Sequence, residues 1–285
     1  MISNHFEYTR AKSIDDALAK LRAAEGEAKF IAGGHSLVPL MKLRLSEPRV
    51  LIDIARIPGL AGIHSKGERV EIGAGTVHQD VAASSMLQQA CPMIAECASD
   101  IGDPQVRNRG TLGGSLAHAD PAADYPAVML ALDAEVHLKG HNGWRTVKAH
   151  DFFKGMFTVD LASDEIIAGV QFQPVKSAAY AKLQQRASRF AIVGVAATVD
   201  VHGGTIRSAR IGLTGASSHA VRLFEVEEAL AGKPANEKGI EAAVKMAGRT
   251  LKDINSDIHA SADYRKAMVP VFTKRALVKA LSRAS

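Results

Sequence analysis

The chain has 285 residues, with 35 Lys+Arg against 30 Asp+Glu for a formal net charge of +5, 47% hydrophobic residues, 23% charged and only 5% aromatic. That composition excludes a disordered, collagenous or low-complexity polypeptide, and the length suits one large domain or two ordinary ones. Two cysteines, Cys91 and Cys97, are too few for a disulfide framework, a thiolate zinc site or a cysteine-ligated iron–sulfur cluster, so buried, reduced thiols are expected.

Met1–Arg10 lacks the apolar stretch of a signal peptide and nowhere do eighteen apolar residues run together. A soluble, cytoplasmic protein with no transmembrane segment is therefore expected. Charge is uneven: residues 178–285 carry a net +8 and residues 1–177 a net −3. The basic side chains of the second part are scattered through helix-like sequence with few Phe or Tyr, which argues against nucleic-acid binding.

In chain order, Ser13 reads as the N-cap of a helix with Asp15 and Asp16 in its first turn and Ile14, Ala17, Leu18 and Leu21 on one face. Lys29–Ala32 reads as a strand that breaks at Gly33-Gly34-His35-Ser36 and resumes as a helix start, with Pro39 tolerated in its first turn. Strands are expected at 50–54 and 70–75, and helices at 78–90 and 92–101. The stretch 102–115, dense in Gly and Arg, cannot be one regular element. Asp120-Pro121 predicts another helix start, with the carboxylate as N-cap. Strands follow at 134–139, 145–148 and 165–172.

The pattern changes around Pro174–Ser177, the expected domain boundary. Beyond it lie three strand-like runs at 178–186, 190–201 and 205–215, with His202-Gly203-Gly204 turning between the last two. Helices are expected at 219–231, 237–254 and 262–283.

Two loops carry the chemistry, Ala32-Gly33-Gly34-His35-Ser36 and Thr111-Leu112-Gly113-Gly114-Ser115. Paired glycines let backbone N–H groups approach an anion, neighbouring hydroxyls add donors, and two such loops facing each other would cradle a diphosphate. Either pair alone reads equally as a tight turn. No G-x-G-x-x-G follows a strand, and Gly232-Lys233 lacks the rest of a P-loop, so neither a Rossmann site nor an NTPase is supported.

KFIAGGHSLVPLMK (29–42), LIDI (51–54), IGAGT (72–76) and GDPQVRNRGTLGGSLAHADPAAD (102–124) resemble the FAD-binding medium subunit of the carbon monoxide dehydrogenase and xanthine dehydrogenase family of molybdenum hydroxylases. The resemblance covers essentially the whole chain. It implies an α+β fold: a two-subdomain FAD-binding domain of the vanillyl-alcohol-oxidase (PCMH) type over 1–176, with subdomains of about 1–57 and 58–176. A small α+β C-terminal domain over 177–285, a three-stranded sheet plus helices, would follow.

The resemblance further implies that Phe30, Ile31, Ala32, Gly33, Gly34, His35, Ser36 and Leu37 wrap the FAD diphosphate from one side and Thr111, Leu112, Gly113, Gly114 and Ser115 from the other. Asp124 would contact the adenosine or ribityl portion, and Ile101, Ile167 and Gln184 would touch the flavin or adenine. FAD would be non-covalent, with His35 contributing its backbone amide rather than a covalent bond. A large molybdopterin-binding subunit and a small subunit with two [2Fe-2S] clusters are the implied partners, in a dimer of heterotrimers that feeds an external electron acceptor. No catalytic residue and no metal ligand is assigned to this chain.

From the residues themselves Asp124 reads either as a complement to the helix dipole or as a hydroxyl acceptor. Arg107 and Arg109 read as solvated loop charges, and Trp144 and Phe152-Phe153 as packing residues. The lack of an insertion with extra cysteines removes the benzoyl-CoA-reducing branch. A free-standing flavin oxidase of the same fold is the alternative; against it, 285 residues leave little room for a domain capping the substrate.

Overall fold

The computed structural model describes residues 2–284, and the apolar periodicities decide most of what it shows. A parallel βαβ unit opens the chain. Strand β1 (Glu7–Arg10) leads into helix α1 (Ile14–Ala23), capped as expected by the Ser13 hydroxyl, which accepts from the Asp16 N–H at 3.0 Å. Strand β2 (Ala28–Ile31), helix α2 (Leu37–Lys42) and strand β3 (Val50–Asp53) follow, and β3 pairs in parallel between β1 and β2.

The second sheet is antiparallel. Strands β4 (Ile63–Lys66) and β5 (Arg69–Gly73) form a hairpin. Four helices come next, α3 (His78–Ala83), α4 (Ser85–Ala90), α5 (Pro92–Ser99) and the single turn α6 (Pro104–Arg107). The helix expected over 78–90 is split at Ser84, whose hydroxyl restarts the helix by accepting from the Leu87 N–H at 3.3 Å. Helices α7 (Leu112–His118) and α8 (Tyr125–Ala131) precede strands β6 (Glu135–Gly140) and β7 (Gly143–Lys148). A turn of helix α9 (Ala149–Phe152) leads to the small hairpin β8 (Phe153–Gly155) and β9 (Thr158–Val159). Strand β10 (Glu165–Phe172) then returns to the middle of the sheet, between β5 and β6.

The third sheet starts at Ala178. Strands β11 (Ala178–Gln184), β12 (Ala191–His202) and β13 (Thr205–Thr214) form a meander. Gly203 and Gly204, at φ 56° and 73°, make the two-residue turn that only residues tolerant of positive φ can supply. The expected three-stranded sheet is four-stranded, because β14 (Val221–Arg222) pairs with Gly212 and Leu213. Two residues carry no readable period, so this strand had merged with the helical pattern beyond it. Helices α10 (Phe224–Leu230), α11 (Glu237–Val244) and α12 (Ala262–Leu281) cover the sheet. The helix expected over 237–254 ends at Val244 and gives way to turns that pass through Gly248 at φ 79°.

Apolar packing is continuous within two clusters. One fills the space between the first two sheets and α3, α5 and α8; the other lies between the third sheet and helices α10–α12. Phe152 and Phe153 pack edge to face at 5.2 Å, as expected. Trp144 does not pack inside. It is 62% exposed, with the Lys139 ammonium over its ring.

Candidate functional site

Where β2 ends, the chain cannot continue as a strand, because Gly34 turns at φ 74° and redirects it into α2. Between the two elements the backbone N–H groups of Ala32, Gly33, Gly34, His35, Ser36 and Leu37 donate to no protein acceptor among the described residues. Six consecutive N–H groups without a protein acceptor leave this half-buried segment with donors that an anion can use. The segment faces a cavity of about 1030 Å³, and Phe30 through Leu37 all line it. His35 is exposed and its Nδ1 lies 2.9 Å from the Gly33 carbonyl, a contact internal to the turn.

The second glycine segment is built differently from expectation. It is not a loop but the first turn of α7, and Thr111 is its N-cap, its hydroxyl accepting from the Gly114 N–H at 3.1 Å. Leu112 N–H donates to the Thr76 carbonyl, Gly113 N–H to Ala74 at 2.8 Å, and Ser115 N–H to Thr111. The amides of Leu112–Ser115 are thus engaged within the protein. The Thr111 N–H and the Ser115 hydroxyl remain free among the described residues. Thr111, Gly113, Gly114 and Ser115 line the cavity, whereas Leu112 is fully buried in the core.

Each segment packs bare backbone against a neighbour, Gly33 against the chain just before Thr111 and Gly113 against Ala74. A Cβ on Gly33 would stand 2.1 Å from the Arg109 carbonyl oxygen and 2.8 Å from Gly110 Cα, and a Cβ on Gly113 would stand 2.4 Å from Ala74 Cβ. These glycines are required by the contact between walls, not by the space that a ligand would fill.

Asp124 is fully enclosed. Its Oδ1 accepts from the Tyr180 hydroxyl and its Oδ2 lies 2.9 Å from Lys182 Nζ, which also donates to the Asp100 carbonyl at 3.0 Å. Burial outweighs the attraction of Lys182 and the Tyr180 hydroxyl, so the carboxyl sits above the usual carboxylate range. Asp124 therefore belongs to the cavity wall, joining it to β11 across the boundary between the second and third sheets. The helix expected to start at Asp120 starts instead at Tyr125. Asp120 makes a turn, its Oδ1 accepting from the Ala122 N–H at 2.8 Å.

Ile101 and Ile167 line the cavity. Gln184 does not: it is exposed at the end of β11 and outside the lining. Arg107 is not a solvated charge, since its Nη1 donates to the carbonyls of Ile101 and Gly102 at 3.0 Å each and so holds the turn at Gly102. Arg109 is exposed, as expected. Cys91 and Cys97 are both free and buried, with burial pushing the Cys91 thiol up to about 11.

Sequence reasoning missed several cavity residues. Arg189 reaches from the turn after β11 and donates to the Gly102 carbonyl at 3.0 Å. Phe157, 53% exposed, stands beside His118 at 5.1 Å on the cavity wall. His78 is 5% exposed and lines the cavity between the two glycine segments. Nothing in their local sequence marks them, because each depends on chain segments that meet only after folding.

Residues 4–174 match the family model of the FAD binding domain in molybdopterin dehydrogenase, and residues 178–280 that of the CO dehydrogenase flavoprotein C-terminal domain. The chain is 40% identical to the carbon monoxide dehydrogenase medium chain of Hydrogenophaga pseudoflava, covering 99% of both chains. It is 39% identical to the 6-hydroxypseudooxynicotine dehydrogenase complex subunit alpha of Paenarthrobacter nicotinovorans, covering 98% of this chain and 95% of that one. Among solved structures, a chain of the H. pseudoflava carbon monoxide dehydrogenase lacking the Mo-pyranopterin moiety superposes with a TM-score of 0.95 at 41% identity over 100% of both chains. A chain of quinoline 2-oxidoreductase from Pseudomonas putida 86 superposes at 0.93 with 31% identity over 99% of both chains.

Proposed function

The chain belongs to the family of FAD-binding medium subunits of carbon monoxide dehydrogenase and xanthine dehydrogenase type molybdenum hydroxylases, and from that premise we propose that it is the electron-transfer flavoprotein subunit of such an assembly. It is an oxidoreductase subunit with an FAD-binding domain. In this reading it takes electrons from the [2Fe-2S] clusters of a small partner subunit and passes them to an external acceptor. A large partner subunit would hold the molybdenum cofactor and oxidise substrate, within a dimer of heterotrimers.

The observation that carries the reading is the run of free amides from Ala32 to Leu37 on a cavity of about 1030 Å³. Six free donors suit a diphosphate, whose oxygens only accept, and the apolar part of the wall, including Ile31, Leu37, Ile101 and Ile167, suits flat aromatic rings. FAD supplies the redox chemistry when bound. The chain's own task is to bind the diphosphate through Ala32–Leu37, the Thr111 N–H and the Ser115 hydroxyl, to shape the ring pocket and to exclude water from it. Asp124 and Lys182 satisfy each other within the wall and fix β11 to it. We also read residues 1–176 and 177–285 as two domains, a division supported by the third sheet's start at Ala178.

The test is to titrate the purified full chain with FAD and then isolate it with its neighbours. One FAD per chain, released intact by acid denaturation, together with co-purifying molybdenum and iron–sulfur subunits, is expected. A chain that binds no FAD removes the assignment.

A further inference from the structure

Beneath the junction of the two glycine segments lies a histidine whose hydrogen bonds are incomplete. His78 is 5% exposed, and its Nδ1 is buried without a partner among the described residues. Its backbone N–H donates to the Gly110 carbonyl at 2.9 Å, which locks the start of α3 to the second segment. Its ring is packed from behind by Tyr125, with centroids 5.3 Å apart. In front, the Nε2–Cδ2 edge rests on Gly110: a Cβ there would meet Nε2 at 2.6 Å and Cδ2 at 2.8 Å. Gly110 is in turn the residue against which Gly33 packs, and all three line the cavity.

Ring placement decides the tautomer. A proton on Nδ1 would be a sealed donor with no acceptor, the costlier arrangement, so the proton belongs on Nε2, which is not sealed as Nδ1 is. Nε2 makes no hydrogen bond within the protein among the described residues. Burial first, then the charges of His35 and Arg107, hold the imidazole down to about 4, so it is neutral at physiological pH. A neutral imidazole offers one N–H there and nothing else, and the free amides of Ala32–Leu37 belong to residues that line the same cavity.

We propose that His78 is a cofactor-binding residue that donates its Nε2–H to a diphosphate oxygen of FAD from between the two glycine segments. The inference rests on the FAD reading above and extends it to a residue outside both glycine motifs. It also gives a reason for glycine at 110, since any side chain there would cover the imidazole edge.

Two variants separate donor from filler. His78→Gln keeps an N–H near the Nε2 position, whereas His78→Met keeps the volume and removes the donor. Loss of a hydrogen bond to a charged acceptor should weaken FAD binding by about tenfold or more in His78→Met, while His78→Gln stays close to wild type. The 31P resonances of the bound diphosphate should shift in the Met variant only. A Met variant that holds FAD as tightly as wild type, or a Gln variant as weak as the Met variant, overturns the proposal.

A third measurement needs no variant. In the full chain labelled with 15N-histidine, adding FAD should slow exchange of the His78 Nε2–H and move its resonance downfield. Titratable FAD binding with no change at that nitrogen overturns the role of His78 and leaves the FAD assignment standing. A wild-type chain that takes up no FAD removes both.

Discussion

Lys182 on β11 and Asp124 at the start of α8 form an ion pair at 2.9 Å with side chains 2% and 5% exposed, joining the FAD-binding part of the chain to its last sheet. Neither residue has water to fall back on. Removing one partner of such a pair leaves a buried uncompensated charge, which costs more than the pair itself contributes.

Lys182→Met should therefore destabilise the protein by about 3–5 kcal/mol, read as a lower melting temperature. The pH dependence follows from Asp124, whose carboxyl is already raised above its unfolded value by burial. A raised group favours the fold below its unfolded pKa, and that contribution is lost as pH rises through the folded value. Without Lys182 the carboxyl rises further, so the variant's deficit should shrink as pH falls from about 7 to about 5, toward the ordinary carboxylate range. A deficit that stays constant over that interval would remove Asp124 as its cause.

Gly33→Ala places a Cβ 2.1 Å from the Arg109 carbonyl and must part the two walls. An overpacking cost of about 1–3 kcal/mol should accompany a loss of FAD affinity, with both read from thermal unfolding with and without FAD. Gly113→Val should behave likewise, through Ala74. Wild-type FAD binding in either variant would show that the walls tolerate separation.

Thr111→Ala removes the hydroxyl that caps α7 by accepting from the Gly114 N–H. Chemical denaturation should report a loss of about 1 kcal/mol. Unaltered stability would mean that another acceptor takes over the Gly114 N–H.

Gln184→Ala should leave FAD affinity unchanged, because Gln184 is exposed and outside the cavity lining. A weakened variant would place this side chain back among the cofactor contacts.

His35→Ala should retain FAD, and wild-type protein precipitated with acid should leave all flavin in the supernatant. The His35 Nδ1 contact with the Gly33 carbonyl supports a role within the turn. Flavin that stays with the pellet would instead indicate a covalent bond.

Local patterns made much of this protein legible before folding was considered. The Ser13 cap, the break at Gly33-Gly34, the strand over 165–172 and the turn at Gly203-Gly204 each depend on neighbours a few residues away, where propensity and period apply directly. The same holds for Ala32–Leu37, a strand end followed by glycines, whose free amides follow from local geometry.

Tertiary structure decided the rest, because partners distant in the chain determine it. Whether Thr111–Ser115 presents free amides depends on Ala74 and Thr76, which engage two of them. Whether Asp124 meets ligand or protein depends on Tyr180 and Lys182, more than fifty positions away. His78 acquires its place only when Gly110, Gly33 and Tyr125 close around it. A side chain's chemistry is written at its own position, but its burial and its hydrogen-bond partners belong to the packed chain.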